Sequence, residues 1–96
     1  MSKDSIIRRK FIFDGRVQGV GFRWRARMAA EELGLTGWVK NEWDDSVVME
    51  VQGPSEKIDM LIQGLQQARY IRINHIFSVE LPVDPRENKF KVKSSY

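Results

Sequence analysis

The segment from residue 15 to residue 23, Gly-Arg-Val-Gln-Gly-Val-Gly-Phe-Arg, combines residue types that suit anion binding. It has three glycines within seven residues, and glycine readily adopts the positive φ angles that turn successive backbone N–H groups toward one concave site. A helical pattern follows, so the unpaired N–H groups of a first helical turn add partial positive charge. Arg23 ends the segment with a planar fork of donors that matches two phosphate oxygens. The segment therefore predicts a site for phosphate or carboxylate.

Two familiar phosphate-binding motifs do not fit this segment. A nucleotide P-loop requires Lys-Ser or Lys-Thr after its last glycine, where this chain has Phe22-Arg23. A dinucleotide fingerprint starting at Gly19 requires a third glycine at the position of Trp24. The same glycines also fit a sharp strand-to-helix turn that leaves Arg23 solvated. The segment by itself leaves the anion site and the plain turn open.

Asn41 is the second candidate for chemistry. It ends a predicted strand at a hairpin border, where the chain could come near the glycine segment, although turn propensity also explains an asparagine there.

His75 is the only histidine, which excludes a metal site built from several imidazoles, and we expect a structural role for it. Asp44 and Asp45 are interpreted as solvated residues of the hairpin turn.

Apolar periodicity predicts the elements that position these candidates. In chain order they are a strand over 7–13, a helix with the stripe Phe22, Ala26, Ala29, Ala30 and Leu33, a hairpin of strands over 35–41 and 46–52, a helix with the stripe Ile58, Leu61, Ile62 and Leu65 that ends near Ala68, a strand over 71–81, and a short strand around Phe90 and Val92. This order predicts an α+β, ferredoxin-like βαββαβ fold with an added C-terminal strand. We expect one antiparallel sheet with both helices on one face.

The periodicity also predicts where individual side chains point. In the strand over 71–81, simple alternation places Phe77 and Val79 on the inward side together with Ile73, interrupted by His75. Trp24 and Met28 lie off the main stripe of the first helix, so we expect them to shield the edge of that stripe.

Composition limits the classes of protein. The 96 residues, 42% of them hydrophobic, predict a single domain over residues 1–96, and the lack of cysteine excludes disulfides, thiolate nucleophiles and cysteine-held metals. A formal net charge of +3 suits an anionic small molecule but is modest for a nucleic-acid binder. Apart from Arg23, we expect the basic clusters to be solvated; these are Arg8-Arg9-Lys10, the arginines of 23–27, and Lys89, Lys91 and Lys93. No secretory signal or membrane-length apolar run is present, so a soluble cytoplasmic protein is expected.

Several motifs occur together at fixed spacings. The segment 15–23 is followed by Gly34-Leu35, by Gly37-Trp38-Val39-Lys40-Asn41, by Ser46-Val47 and by Gly53. Together they resemble the acylphosphatase family over nearly the whole chain, most strongly from Gly15 to Pro54. A nine-residue loop joined to an asparagine 18 positions beyond Arg23 is far more specific than a lone glycine pattern.

The resemblance implies hydrolysis of acyl phosphates to carboxylate and orthophosphate, with no metal and no cofactor. It assigns phosphate binding and catalysis to Arg23 and the orientation of the attacking water to Asn41. The loop amides around the phosphoryl oxygens belong to Gln18, Gly19, Val20, Gly21 and Phe22. A small-molecule acyl phosphate is then the partner and inorganic phosphate the product, and we expect a monomer that binds neither nucleic acid nor membrane. Asp45 stands where the family usually has glycine, so we expect slight strain or an altered turn there.

Two other functions are compatible with the same βαββαβ order of elements. A single-strand nucleic-acid-binding module is one, but the third strand, Ser46 to Val51, lacks the aromatic stacking platform of such readers. A non-catalytic sensor of small anions is the other. It would keep the same loop, and the sequence does not separate it from an enzyme.

Overall fold

The computed structural model describes residues 5–94 and contains the predicted order of elements. They are β1 (Ile6–Arg16), α1 (Phe22–Glu32), β2 (Thr36–Asn41), β3 (Val47–Pro54), α2 (Ser55–Gln66), β4 (Arg72–Leu81) and β5 (Phe90–Val92). The βαββαβ plan with a short last strand is confirmed. Within the described residues, no helix is both long and apolar enough to span a membrane.

The five strands form one sheet in the order β4-β1-β3-β2-β5. Pairing is antiparallel between β1 and β3, β1 and β4, and β2 and β3, whereas β5 runs parallel to β2. The expectation of a wholly antiparallel sheet is therefore wrong at this edge, because the loop after β4 carries the chain across the sheet before β5 begins. The parallel pairing places β5 beside β2 and close to the end of that strand at Asn41.

Both helices pack on one face of the sheet and share a single core with it. The predicted helical stripes are confirmed, with Phe22, Ala26 and Ala30 buried in α1 and Ile58, Leu61 and Leu65 buried in α2. The Phe22 ring lies 4.9 Å from that of Phe13 in β1, which fixes the first turn of α1 against the sheet.

The predicted alternation in β4 is wrong beyond Ile73. Opposite the step from Asp14 to Gly15 the register shifts, so that Asp14 pairs with His75 and Gly15 with Ile73. The extra residue, Asn74, turns the following side chains to the other face, as a β-bulge does. Ile76 therefore packs against the core, whereas Phe77 is 61% exposed.

The expectation that the first basic cluster is solvated is wrong for Arg8, which is buried on the sheet face opposite the helices. Its guanidinium donates to both carboxylate oxygens of Glu87, at 2.8 and 3.1 Å, and to Glu50 Oε1 at 3.0 Å. Hydrogen bonding to Glu87 is the main cause that raises the pKa of Arg8, against the opposing effect of burial. These bonds hold the loop after β4 against the sheet.

Candidate active site

The loop between β1 and α1 has the conformation that its glycines allow. Gly19 and Gly21 have φ angles of 72° and 80°, and Gly21 is the N-cap of α1. Left-handed residues alternating with ordinary ones form the backbone nests that bind anions. Within residues 5–94, no N–H group from Gln18 to Phe22 donates to a backbone carbonyl. The loop thus presents unpaired donors at the start of a helix.

The first turn of α1 contains no acidic side chain that would offset the positive end of the helix dipole. Gly21 supplies no side-chain cap, and the first turn contains no acidic residue. Its second residue is instead Arg23, so a guanidinium stands beside the positive end of the helix dipole. Such an arrangement favours an anionic guest over an empty site.

Asn41 enters the site from the sheet. It is the last residue of β2 and is paired with Val47 of β3, so the ladder fixes its backbone. Its side-chain oxygen, Oδ1, is buried, and within residues 5–94 it has no hydrogen-bond partner. A buried acceptor left without a donor costs free energy, typically about 1–3 kcal/mol. A ligand or water that donates a proton to Oδ1 would recover that cost.

Arg23 and Asn41 line the same cavity, which has a volume of about 390 Å³. Its walls are formed by the glycine loop, the first turns of α1, the end of β2 and β5; the lining residues are Val17, Gly19, Gly21, Phe22, Arg23, Trp24, Arg27, Asn41 and Val92. The volume lies within the range of about 300–1,000 Å³ typical of small-molecule sites. The structure therefore brings the two candidate residues together in a site of suitable size.

Gln18 joins the loop to the hairpin that follows Asn41. Its side-chain amide donates to the carbonyl oxygens of Glu42 and Ser46, each at 2.8 Å. Because these carbonyls flank the turn after β2, the two bonds align the glycine loop with the end of that strand. The side chain of Gln18 thus holds two parts of the site in register.

The hairpin turn is organised by its two aspartates. Asp44 accepts hydrogen bonds from the hydroxyl and the backbone N–H of Ser46, and these lower the pKa of Asp44, the hydroxyl bond most. Asp45 has a φ of 71°, the left-handed conformation that a glycine would adopt. The turn therefore keeps a left-handed residue, with the modest strain that aspartate bears at such a φ.

The strand β5 completes the wall beside Arg23. The N–H of Lys93 donates to Val39 O at 2.8 Å, which ties the end of β5 to β2. The carbonyl oxygen of Lys93 accepts a long hydrogen bond of 3.4 Å from Nη1 of Arg23. A contact of that length is weak, so a phosphoryl oxygen can compete for the guanidinium.

The side chains of two residues near the site lie outside the cavity, whereas other lining residues were not expected from the sequence. The side chain of Val20, whose backbone amide was the predicted feature, packs against the core, and Trp43 is 79% exposed beside another surface depression. Trp24, expected to shield the edge of the α1 stripe, lines the cavity together with Arg27 and Val92. The spacing of Arg27, four residues after Arg23 and so on the same helical face, was the available signal for it.

A family model for acylphosphatases matches residues 9–92 of the chain. An acylphosphatase of Oceanobacillus iheyensis is 38% identical over 81 residues, which covers 82% of this chain and 89% of that protein. An acylphosphatase of Clostridium beijerinckii is 37% identical over 89 residues, covering 92% of this chain and 99% of that protein. The crystal structure of acylphosphatase from Bacillus subtilis superposes with a TM-score of 0.84 at 30% identity, over 91% of this chain and 98% of the other.

Proposed function

This chain belongs to the acylphosphatase family of hydrolases, and we propose that it cleaves acyl phosphates with Arg23 and the loop amides binding the phosphoryl group and Asn41 orienting the water. The observation that carries this assignment is the common cavity lined by Arg23, which brings a charge, and by Asn41, whose buried side-chain oxygen has no hydrogen-bond partner within residues 5–94. The substrate is a small-molecule acyl phosphate and the products are a carboxylate and orthophosphate.

Binding of the phosphoryl group follows from the loop. Its oxygens accept hydrogen bonds from the N–H groups of residues 18–22 and from the two terminal nitrogens of Arg23. In the loose transition state of phosphoryl transfer, charge spreads over the equatorial oxygens, so fixed donors stabilise it without reorganising. The dipole of α1 adds to the same effect.

The leaving group needs no help from the protein. The oxygen that departs from phosphorus is that of a carboxylate, whose conjugate acid has a pKa of about 4, so it leaves unprotonated at neutral pH. Neither a general acid nor a metal ion is required to stabilise it. This chemistry suits a cavity whose charged lining residues are both arginines.

Water is the nucleophile, and Asn41 holds it. One O–H of the water donates to Oδ1 of Asn41, which turns an oxygen lone pair toward phosphorus in line with the departing carboxylate. The water oxygen bonds to phosphorus as the bond between phosphorus and the acyl oxygen breaks. The electron pair of the broken bond leaves with the carboxylate. A phosphoryl oxygen takes the proton of the water.

The open face of the sheet does not favour a nucleic-acid reader. Single-strand readers of this plan stack bases on aromatic residues of the two central strands. Here the corresponding face of β1 and β3 carries Arg8, Lys10, Ile12, Val48, Glu50 and Gln52. Arg8 also donates hydrogen bonds to the side chains of Glu50 and Gln52 beneath the loop after β4. This supports a small molecule as the partner.

The test is the release of phosphate from benzoyl phosphate in the presence of a chelator. Arg23→Ala is expected to lower kcat/KM by at least about 10²–10³-fold, the usual cost of removing a preorganised donor to a transition-state oxyanion. Arg25→Ala is the matched control, because Arg25 is exposed on the same helix and does not line the cavity. Wild-type kcat/KM in Arg23→Ala would contradict the assignment, and phosphate binding without turnover in the wild type would indicate a sensor.

A further inference from the structure

The cavity extends beyond the space that a phosphoryl group needs. A phosphoryl group has a few times the volume of a water molecule, which occupies about 30 Å³ in the liquid. The cavity measures about 390 Å³, and Trp24, Arg27 and Val92 line it without belonging to the glycine loop. The acyl part of a substrate bound at Arg23 has these three side chains as its neighbours.

Trp24 presents a large apolar surface in this part of the cavity. Its side chain directly follows Arg23 in the first turn of α1 and is 62% exposed. Val92 of β5, itself 39% exposed, lines the same cavity. A flat acyl group that stacks on the indole ring would remove apolar surface of both partners from water. An acetyl group is too small to cover it.

Arg27 adds a second positive charge to the same part. It lies four residues after Arg23, which is one helical turn or about 6 Å along the axis of α1. Its Nε contacts Glu31 Oε2 at 3.4 Å in a half-exposed ion pair, a weak and easily screened interaction that leaves the guanidinium open to a stronger anion. The lining residues include no aspartate or glutamate, so a phosphoryl group at Arg23 leaves the charge of Arg27 without a partner inside the cavity.

We infer that Trp24 and Arg27 form the acyl subsite and select acyl phosphates whose acyl group has a flat or apolar body and ends in a second anionic group. This inference rests on the proposed function, since it concerns the substrate of the same cavity. Trp24 supplies affinity for the body of the acyl group. Arg27 supplies the preference for the second anion, at a distance of about one helical turn from the phosphoryl site.

The experiment compares three substrates that differ one feature at a time: acetyl phosphate, benzoyl phosphate and 4-carboxybenzoyl phosphate. The wild type is expected to have the highest kcat/KM for the carboxybenzoyl compound and the lowest for acetyl phosphate. Arg27→Gln should lower the ratio of kcat/KM for carboxybenzoyl over benzoyl phosphate by about 3- to 10-fold, the scale of a partly screened ion pair. Trp24→Ala should lower the ratio for benzoyl over acetyl phosphate by about 2- to 10-fold.

Arg25→Gln is the matched control for charge, because Arg25 is exposed on α1 but does not line the cavity. Raising the salt concentration should reduce the change in the substrate ratio caused by Arg27→Gln and leave the change caused by Trp24→Ala unaltered. Equal substrate ratios in the wild type and in Arg27→Gln, or an equal change in Arg25→Gln, would overturn the inference while leaving the proposed function intact. If the wild type hydrolyses none of the three compounds, the proposed function fails and the inference with it.

Discussion

The two helices of this protein begin in opposite ways, although both follow a strand of one sheet and pack on the same face. The N-cap of α1 is Gly21, which has a left-handed φ of 80°, and the helix has no acidic residue in its first turn. The N-cap of α2 is Pro54, which has an extended backbone, and the helix carries Glu56 in its first turn. The positive end of α2 is thus compensated by the chain itself, whereas that of α1 faces a cavity.

This difference indicates that the start of α1, rather than that of α2, is suited to bind an anion. A helix N-terminus by itself attracts anions only weakly, and a carboxylate in the first turn interacts favourably with its positive end. At α1 three further features coincide within residues 5–94, namely loop amides that donate to no backbone carbonyl, the guanidinium of Arg23, and the buried side-chain oxygen of Asn41, which has no hydrogen-bond partner. Within the same residues, the start of α2 has no such buried side-chain oxygen, so the two starts provide an internal control for the proposed site.

Exchanging the charges of the two helix starts should have the most severe consequence for activity. Arg23→Glu is expected to lower kcat/KM by more than about 10³-fold, because it removes a cation and places a repelling charge beside the phosphoryl group. Glu56→Arg gives α2 a cation at the corresponding position and should leave kcat/KM unchanged. Calorimetric titration with phosphate should still show one site in Glu56→Arg. A second phosphate site there would mean that charge alone makes the site.

Asn41→Ala tests the part of the site that the sheet contributes. We expect kcat to fall about 10²-fold, since a water displaced by about 1 Å loses its alignment with the leaving group. Inhibition by phosphate should persist with a similar constant, because Arg23 and the loop remain. Asn74→Ala, on the exposed edge strand β4, is the control. Loss of phosphate inhibition in Asn41→Ala would assign binding, rather than water orientation, to this residue.

Gln18→Ala releases the glycine loop before α1 from the hairpin, and α2 has no loop of this kind. Removing the two 2.8 Å bonds to the carbonyls of Glu42 and Ser46 should lower the free energy of unfolding by about 1–3 kcal/mol. We expect kcat to fall about tenfold because the loop and Asn41 lose their register. Denaturant titration and steady-state kinetics measure the two effects. Gln63→Ala, an exposed glutamine of α2, should change neither, and a Gln18→Ala enzyme with wild-type kcat would contradict the alignment role.

Glu56→Gln removes the negative charge that lies near the positive end of the α2 dipole. The free energy of unfolding should fall by about 0.3–1 kcal/mol at low ionic strength, and the difference should shrink in salt because the dipole interaction is screened. The value of kcat/KM should stay the same, since α2 does not line the cavity. A drop in activity without a drop in stability would show that the two helix starts are coupled.

The hairpin turn makes the free energy of unfolding weakly dependent on pH. The hydrogen bonds from Ser46 lower the pKa of Asp44, so this carboxylate stabilises the folded state above the unfolded pKa of about 4 and loses that effect as the pH falls through the folded value. The stability difference between the wild type and Asp44→Ala should therefore be largest near neutral pH and shrink below pH of about 4. An equal difference at pH of about 3 and about 7 would contradict the assignment.

Local sequence rules predicted much of the fold. The stripes of α1 and α2 follow from a period of 3.6 residues, and the positive φ angles of Gly19 and Gly21 follow from the lack of a Cβ. Such features depend on residues close together in the chain. The resemblance of the motifs to a known family then pointed to Arg23 and Asn41 as a pair.

Long-range contacts decided what the local rules missed. The alternation of β4 fails because an extra residue is accommodated opposite Gly15, where a Cβ would lie 2.2 Å from the carbonyl oxygen of Arg72. The sequence places Arg8 in a basic cluster that we expect to be solvated, yet Glu87, far along the chain, makes its burial possible by pairing with it. The periodicity of apolar residues in the sequence predicts neither contact.

The set of elements and the loop with its arginine follow from the sequence alone, because hydrophobic period and glycine spacing act over a few residues. Only the folded chain shows that β5 lies parallel to β2 and that Asn41, Trp24 and Arg27 line the same cavity as Arg23. A cavity exists only between elements. Its walls come from positions whose proximity depends on how the sheet is ordered and how α1 packs across it.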